Sequence, residues 1–222
     1  MEVISLLTKD NLKIVGDWYY KDFFPNGILL FHMMPSDRSS WFLLSENLVD
    51  LDFQVLAIDL RGHGQSQVGP DGYRNFSDQD HQASILDVEA AADFLKSKGV
   101  ESLYIGGASL GANLALWYTV KHPKVKAVFL LSPGFDYRGI EARPLASSLN
   151  SGQAVFMAGS TGDIRSSGLS AAEMVSELYR LVPDGVKKKK VAVDGQYHGT
   201  DMLGGDKSLS NEIITWLIEQ KM

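Results

Sequence analysis

Short runs of apolar residues recur along the chain at 27–31, 54–59, 102–106, 126–131 and 154–158. Each is nearly continuous rather than alternating, which is the pattern of a strand covered on both faces of a parallel sheet. Between the first two, Trp41, Leu44, Leu48 and Leu51 recur at spacings of three, four and three, marking one face of a helix. Ile85, Val88, Ala92 and Leu95 mark a second helix, with Gly99 placed to end it. A last helix is expected from about Ser210, carrying Ile213, Ile214 and Leu217. Strands alternating with helices predict an α/β fold: a mostly parallel, doubly wound sheet of about eight strands with helices on both faces. Two earlier strands, at 3–7 and 12–18, leave no room for a helix between them and predict an antiparallel hairpin on one edge. Val191, Ala192 and Val193 read as the last strand. The four lysines at 187–190 lead into it, either as solvated protection of an edge strand or as a contact for an anionic surface.

Composition narrows the classes of partner. The 222 residues suit a single domain spanning 1–222. A net charge of -6 removes the phosphate attraction on which nucleic-acid binding depends, so that class is set aside. The absence of cysteine excludes disulfides, a thiolate nucleophile and Cys-ligated zinc. No apolar run approaches membrane-spanning length, and the stretch from Met1 to Asp10 lacks the basic start of a signal peptide. A cytoplasmic protein without membrane insertion is the resulting expectation. No feature of the sequence sets an oligomeric state.

The chemistry gathers around Gly107-Ala108-Ser109-Leu110-Gly111, a G-x-S-x-G motif. The pentapeptide alone says little, but it directly follows the strand at 102–106 and precedes a helix expected over 112–121. At such a strand-to-helix turn a nucleophile sits in a strained backbone conformation, and residues two before and two after it must be small. The helix N-terminus behind Ser109 favours negative charge developing there.

Together with Asp59-Leu60-Arg61-Gly62-His63-Gly64-Gln65-Ser66, Leu131-Ser132-Pro133-Gly134 and Tyr197-His198-Gly199, this motif resembles the α/β-hydrolase fold family, in its compact, lid-less serine esterase and lipase-like branch. The resemblance covers nearly the whole chain. It implies Ser109 as nucleophile and His198, in the loop before the final helix, as its base. It places the orienting carboxylate at Asp163, just past the strand at 154–158 and in the chain order Ser, Asp, His. Asp136 is the rival acid, and Asp201 is expected to cap local backbone. Two backbone donors should hold the oxyanion. One is Leu110; the other comes from the loop His32-Met33-Met34-Pro35, where Met34 aligns with the donor, Met33 is the alternative and Pro35 has no N–H.

Arg61 is expected to make polar loop contacts rather than to act in catalysis. The segment 134–153 is too short for a cap domain, which predicts an open site for short to medium acyl groups. Met33, Met34 and Phe135 are possible apolar lining or ordinary core. The expected reaction is hydrolysis of a small-molecule carboxylic ester through an acyl-enzyme, with no metal or organic cofactor. The same triad could serve a thioesterase, peptidase or acyltransferase, and a catalytically degenerate fold kept for binding is the reading from another class.

Overall fold

A computed structural model describes residues 1–22 and 24–221. In chain order its elements begin with β1 (Glu2–Leu7), β2 (Lys13–Tyr19), β3 (Asn26–Phe31), α1 (Phe42–Val49), β4 (Phe53–Ile58), α2 (Asp78–Gln82), α3 (Ile85–Ser97), β5 (Ser102–Ala108) and α4 (Leu110–Lys121). They continue with β6 (Ala127–Leu131), β7 (Asp136–Tyr137), β8 (Ile140–Glu141), α5 (Ala142–Ser147), β9 (Ala154–Ser160), α6 (Ala171–Leu181), β10 (Lys187–Val193), α7 (Asp201–Gly205) and α8 (Lys207–Glu219).

Eight strands form one sheet in the order β1-β2-β4-β3-β5-β6-β9-β10. β1 and β2 make the antiparallel edge hairpin, with Leu7 opposite Lys13, and β2 runs antiparallel to β4. The other pairings are parallel, so the carboxyl ends of β3, β5, β6, β9 and β10 meet at one edge. Alternate residues of each strand feed two cores. Leu29, Phe31, Ile105, Val128 and Leu130 pack against α3, α4, α5 and α6 on one face. Ile28, Leu30, Tyr104, Phe129 and Phe156 pack against α1 and α8 on the other. A strand with apolar neighbours on both sides has no polar position to show, which is why the central runs lack alternation.

The ends of elements depart from the apolar pattern because caps, not periodicity, set them. Trp41 belongs to a 3₁₀ turn opened by Asp37, whose side chain accepts the Ser39 N–H, and α1 follows it. α8 starts at Lys207, three residues before the expected Ser210, because Asp206 accepts the Ser208 N–H there. β10 includes all four lysines, paired along β9 as the outermost strand. Lys189 meets Glu212, Lys190 donates to Ser176 Oγ and Lys188 to the Val182 carbonyl, so three of the four are spent locally. Between β6 and β9 there is only a two-stranded hairpin, β7–β8, and the short α5, with no cap domain. Among the described residues no helix is long and apolar enough to cross a membrane.

Candidate active site

Ser109 stands between β5 and α4 with φ 53° and ψ -118°, a conformation that non-glycine residues rarely hold. The turn tolerates no bulk on either side. A Cβ at Gly107 would lie 2.1 Å from the Gly111 carbonyl oxygen, and one at Gly111 would lie 2.4 Å from that of Phe31. The Ser109 N–H donates to Leu131 O at 2.8 Å, extending the β5–β6 pairing, while its carbonyl accepts the Ala112 and Asn113 N–H groups that open α4.

Two and three strands away, the loops after β9 and β10 are laced together. Thr161 N–H donates to Val193 O and Gly162 N–H to Gly195 O. This brings His198 Nδ1 to 2.6 Å from Asp163 Oδ2. A carboxylate there fixes the Nδ1–H tautomer and leaves Nε2 free as a base. Asp163 is nearly buried, and its other oxygen accepts Arg165 Nη1 at 3.0 Å. Next to the imidazole, the Gly199 N–H donates to Ser132 Oγ at 3.0 Å. Ser132, at the end of β6, is itself held at φ 49°. A Cβ on Gly199 would touch Met33 Sδ and the Ala108 side chain, so the His198 loop lies against the Ser109 turn. Ser109 and His198 share no hydrogen bond among the described residues; contacts of this kind commonly tighten only when a substrate is bound.

The loop after β3 is held by His32. Its Nδ1–H donates to Met33 O at 2.8 Å and its Nε2 accepts the Leu60 N–H at 3.0 Å. Burial lowers its pKa to about 4, so the ring is neutral and both nitrogens keep these roles. No hydrogen bond among the described residues uses the N–H of Met33, Met34 or Leu110, which leaves these donors uncommitted.

The other expected residues are placed as follows. Asp136 is exposed, and its carboxylate accepts the Gly139 N–H at 2.7 Å, closing the β7–β8 turn. Asp201 opens α7, and its N–H donates to His198 O at 3.0 Å. Phe135 is half-buried beneath the Arg143 guanidinium, 3.5 Å above its ring. Met33 is buried and Met34 packs against the core. Arg61 is buried and grips Asp87 through Nε and Nη2 and Asp10 through Nη1 and Nη2. Among the described residues no three His, Asp or Glu side chains are grouped as a metal site needs.

Two residues at this edge had no mark in the sequence. Tyr137, from the β7–β8 hairpin, is half-buried against the core with its ring on Gly134, and burial pushes its phenol pKa up. Arg165, whose side chain is 33% exposed, pairs with Asp163 Oδ1 at 3.0 Å. The turn of the hairpin could have been found: Arg138 and Gly139 both have positive φ, as a two-residue hairpin loop requires.

Comparison with known proteins agrees with this architecture. The family described as alpha/beta hydrolase fold matches residues 26–158. A bifunctional esterase/perhydrolase of Acinetobacter calcoaceticus is 33% identical over 134 residues, a match covering 55% of this chain but only 42% of that relative. Among solved structures, an esterase of Pyrococcus furiosus superposes with a TM-score of 0.79 at 17% identity, covering 98% of this chain and 92% of the other. Est1E of Butyrivibrio proteoclasticus, solved with ferulic acid bound, gives 0.76 at 13% identity over 97% and 98% of the two chains. At such identities the structural likeness is one of fold.

Proposed function

Since the chain belongs to the alpha/beta hydrolase fold family, we propose that it is a serine esterase that cleaves small carboxylic esters with Ser109, His198 and Asp163. The observation that carries this reading is the 2.6 Å contact of His198 with Asp163, made at the sheet edge where Ser109 occupies its strained turn.

In this reading Ser109 Oγ attacks the ester carbonyl while His198 Nε2 takes its proton, and Asp163 stabilises the imidazolium that forms. The N–H groups of Leu110 and Met34, with Met33 as the alternative to the latter, receive the charge on the carbonyl oxygen. Each such donor contributes about 2.7–4 kcal/mol to the transition state. The bond to the alcohol breaks, His198 returns the proton to the departing oxygen, and an acyl-enzyme remains. Water, deprotonated by the same imidazole, then releases the acid. With no cap over the β6–β9 crossing, short to medium acyl chains are the substrates this site suits best.

The test is turnover of p-nitrophenyl esters of increasing acyl length by the native protein and by Ser109→Ala. The reading expects hydrolysis that peaks at short or medium chains and falls by roughly 10⁵-fold or more in the variant. Undiminished turnover by Ser109→Ala would remove the serine from the reaction. The Acinetobacter relative is named a perhydrolase as well as an esterase. Hydrogen peroxide replacing water on the acyl-enzyme is therefore a second activity to assay, by peracid release.

A further inference from the structure

The two edges of the sheet are finished differently. β10, the outer strand on one side, carries the four lysines at 187–190, charged side chains that discourage a further strand from pairing there. β1, the outer strand on the other side, has no such guard. Its six residues, Glu2–Leu7, include neither lysine nor proline. They hold an unbroken register against β2, so no bulge bends the edge away. β1 pairs with β2 alone, which leaves the main-chain groups along its outer side without a strand.

The side chains make this edge apolar on both faces. Ile4 and Leu6 are half-buried and pack against the core. Val3, Ser5 and Leu7 share the opposite face, where Val3 is 55% and Leu7 68% exposed. A single exposed leucine needs no explanation, but apolar residues on both faces of an open edge strand do.

What fits this edge can be read from its own sequence. Around Ser5 the pattern mirrors itself: Val3 matches Leu7, and Ile4 matches Leu6. Residues directly opposite in an antiparallel pair lie on the same face. A second copy of β1 turned about Ser5 therefore sets Val3 against Leu7 on one face and Ile4 against Leu6 on the other. Glu2, the one charge in the strand, falls opposite Thr8, so no like charges meet.

We propose that β1 is a self-association surface, through which two copies of this chain join antiparallel about Ser5 into one continuous sheet. Main-chain hydrogen bonds supply the attraction and the matched apolar pairs set the register. Three strands, β2, β4 and β3, separate the joint from β5 and Ser109. Pairing therefore leaves both copies of the Ser109 turn uncovered, and it stands apart from the esterase reading.

The test measures mass by light scattering on a sizing column over a wide range of protein concentration. The native protein should approach twice the mass of one chain as concentration rises. Val3→Lys/Leu7→Lys, which sets lysine against lysine across the joint, should keep the native circular dichroism and stay at the mass of one chain. Leu43→Lys/Ile218→Lys, at exposed apolar positions on α1 and α8, should associate as the native chain does.

Because the chain has no cysteine, an introduced thiol reports only its neighbour across the joint. Under mild oxidation Ser5→Cys should link to its own copy, because opposite Cβ atoms stand about 5 Å apart. Val3→Cys should not link to itself, but should link to Leu7→Cys when the two are mixed. These thiol variants decide the matter alone if the lysine variant fails to fold. Native protein that keeps the mass of one chain at every concentration overturns the proposal, as does a folded lysine variant that still associates. Self-linking of Val3→Cys as fast as that of Ser5→Cys overturns it too.

Discussion

Along the carboxyl edge of the sheet, the loops after β3 and β4 hold one polar cluster and the loops after β5, β6, β9 and β10 hold another. In the first, Asp59 and Asp87 are fully buried and their oxygens are fully engaged. Asp59 accepts the Arg38 side chain and the N–H groups of Arg38 and Gln65. Asp87 accepts the Arg61 backbone N–H and guanidinium. In the second, the His198 and Arg165 side chains are 19% and 33% exposed. Leu110 keeps a free N–H there, and Met34 keeps one in the loop after β3. A buried charge with every lone pair satisfied fixes loops and has nothing left for a substrate. The second cluster keeps its hydroxyl, imidazole Nε2 and N–H donor uncommitted, as the proposed reaction needs. The sealed cluster also steadies the open one: His32 and Arg61 hold the β3 and β4 loops, and the β3 loop carries the free Met34 N–H proposed above as an oxyanion donor.

This contrast can be broken by moving effects from one cluster to the other. The largest rate effect after loss of the serine should come from Asp163→Asn, which mis-sets the imidazole tautomer. A fall of roughly 10³- to 10⁴-fold in kcat is expected with little change in the urea midpoint. Asp136→Asn, which touches only a turn, should stay within about twofold. Equal effects of the two would erase the assignment of the acid.

Asp87→Ala should do the reverse. Leaving the buried Arg61 guanidinium with Asp10 as its one remaining carboxylate should cost about 3 kcal/mol in urea denaturation, while kcat of the folded fraction changes little. A large kcat loss at unchanged stability would mean that the sealed cluster takes part in the reaction.

The sealed cluster also makes stability depend on pH. His32 and His63 titrate at about 4 in the folded chain, against an ordinary 6.5, chiefly because they are buried. The unfolded chain takes up protons in that window and the folded chain does not. Stability is therefore complete above the ordinary value and drains as pH falls through it, by about 1.4 kcal/mol per pH unit for each histidine. Denaturation midpoints at about pH 7 and pH 5 measure the slope, and His63→Phe should remove one histidine's share.

The comparison also explains what could be read in the sequence. Central strands announce themselves by unbroken apolarity, and Ser109 by two small neighbours whose need the backbone contacts at Gly107 and Gly111 make plain. Asp163 and His198 were legible as loop positions after consecutive strands of one fold. Tyr137 was not. It sits on a strand of two residues, too short for any period, and its hairpin is held by Asn113 bonds that span 21 and 27 residues of chain. Arg165 reads as an ordinary loop cation until Asp163 is beside it. Local patterns reveal elements; the orientation of a side chain across a crossover is set by tertiary bonds that no local window contains.

The central claim is that one serine, in a strained turn, is the group that becomes acylated. The most direct measurement is to treat the native protein with a fluorophosphonate, digest it and locate the adduct by mass. The account requires one adduct per chain, on the peptide that carries Ser109. An adduct on any other serine, or none on protein that is turning over esters, would contradict it.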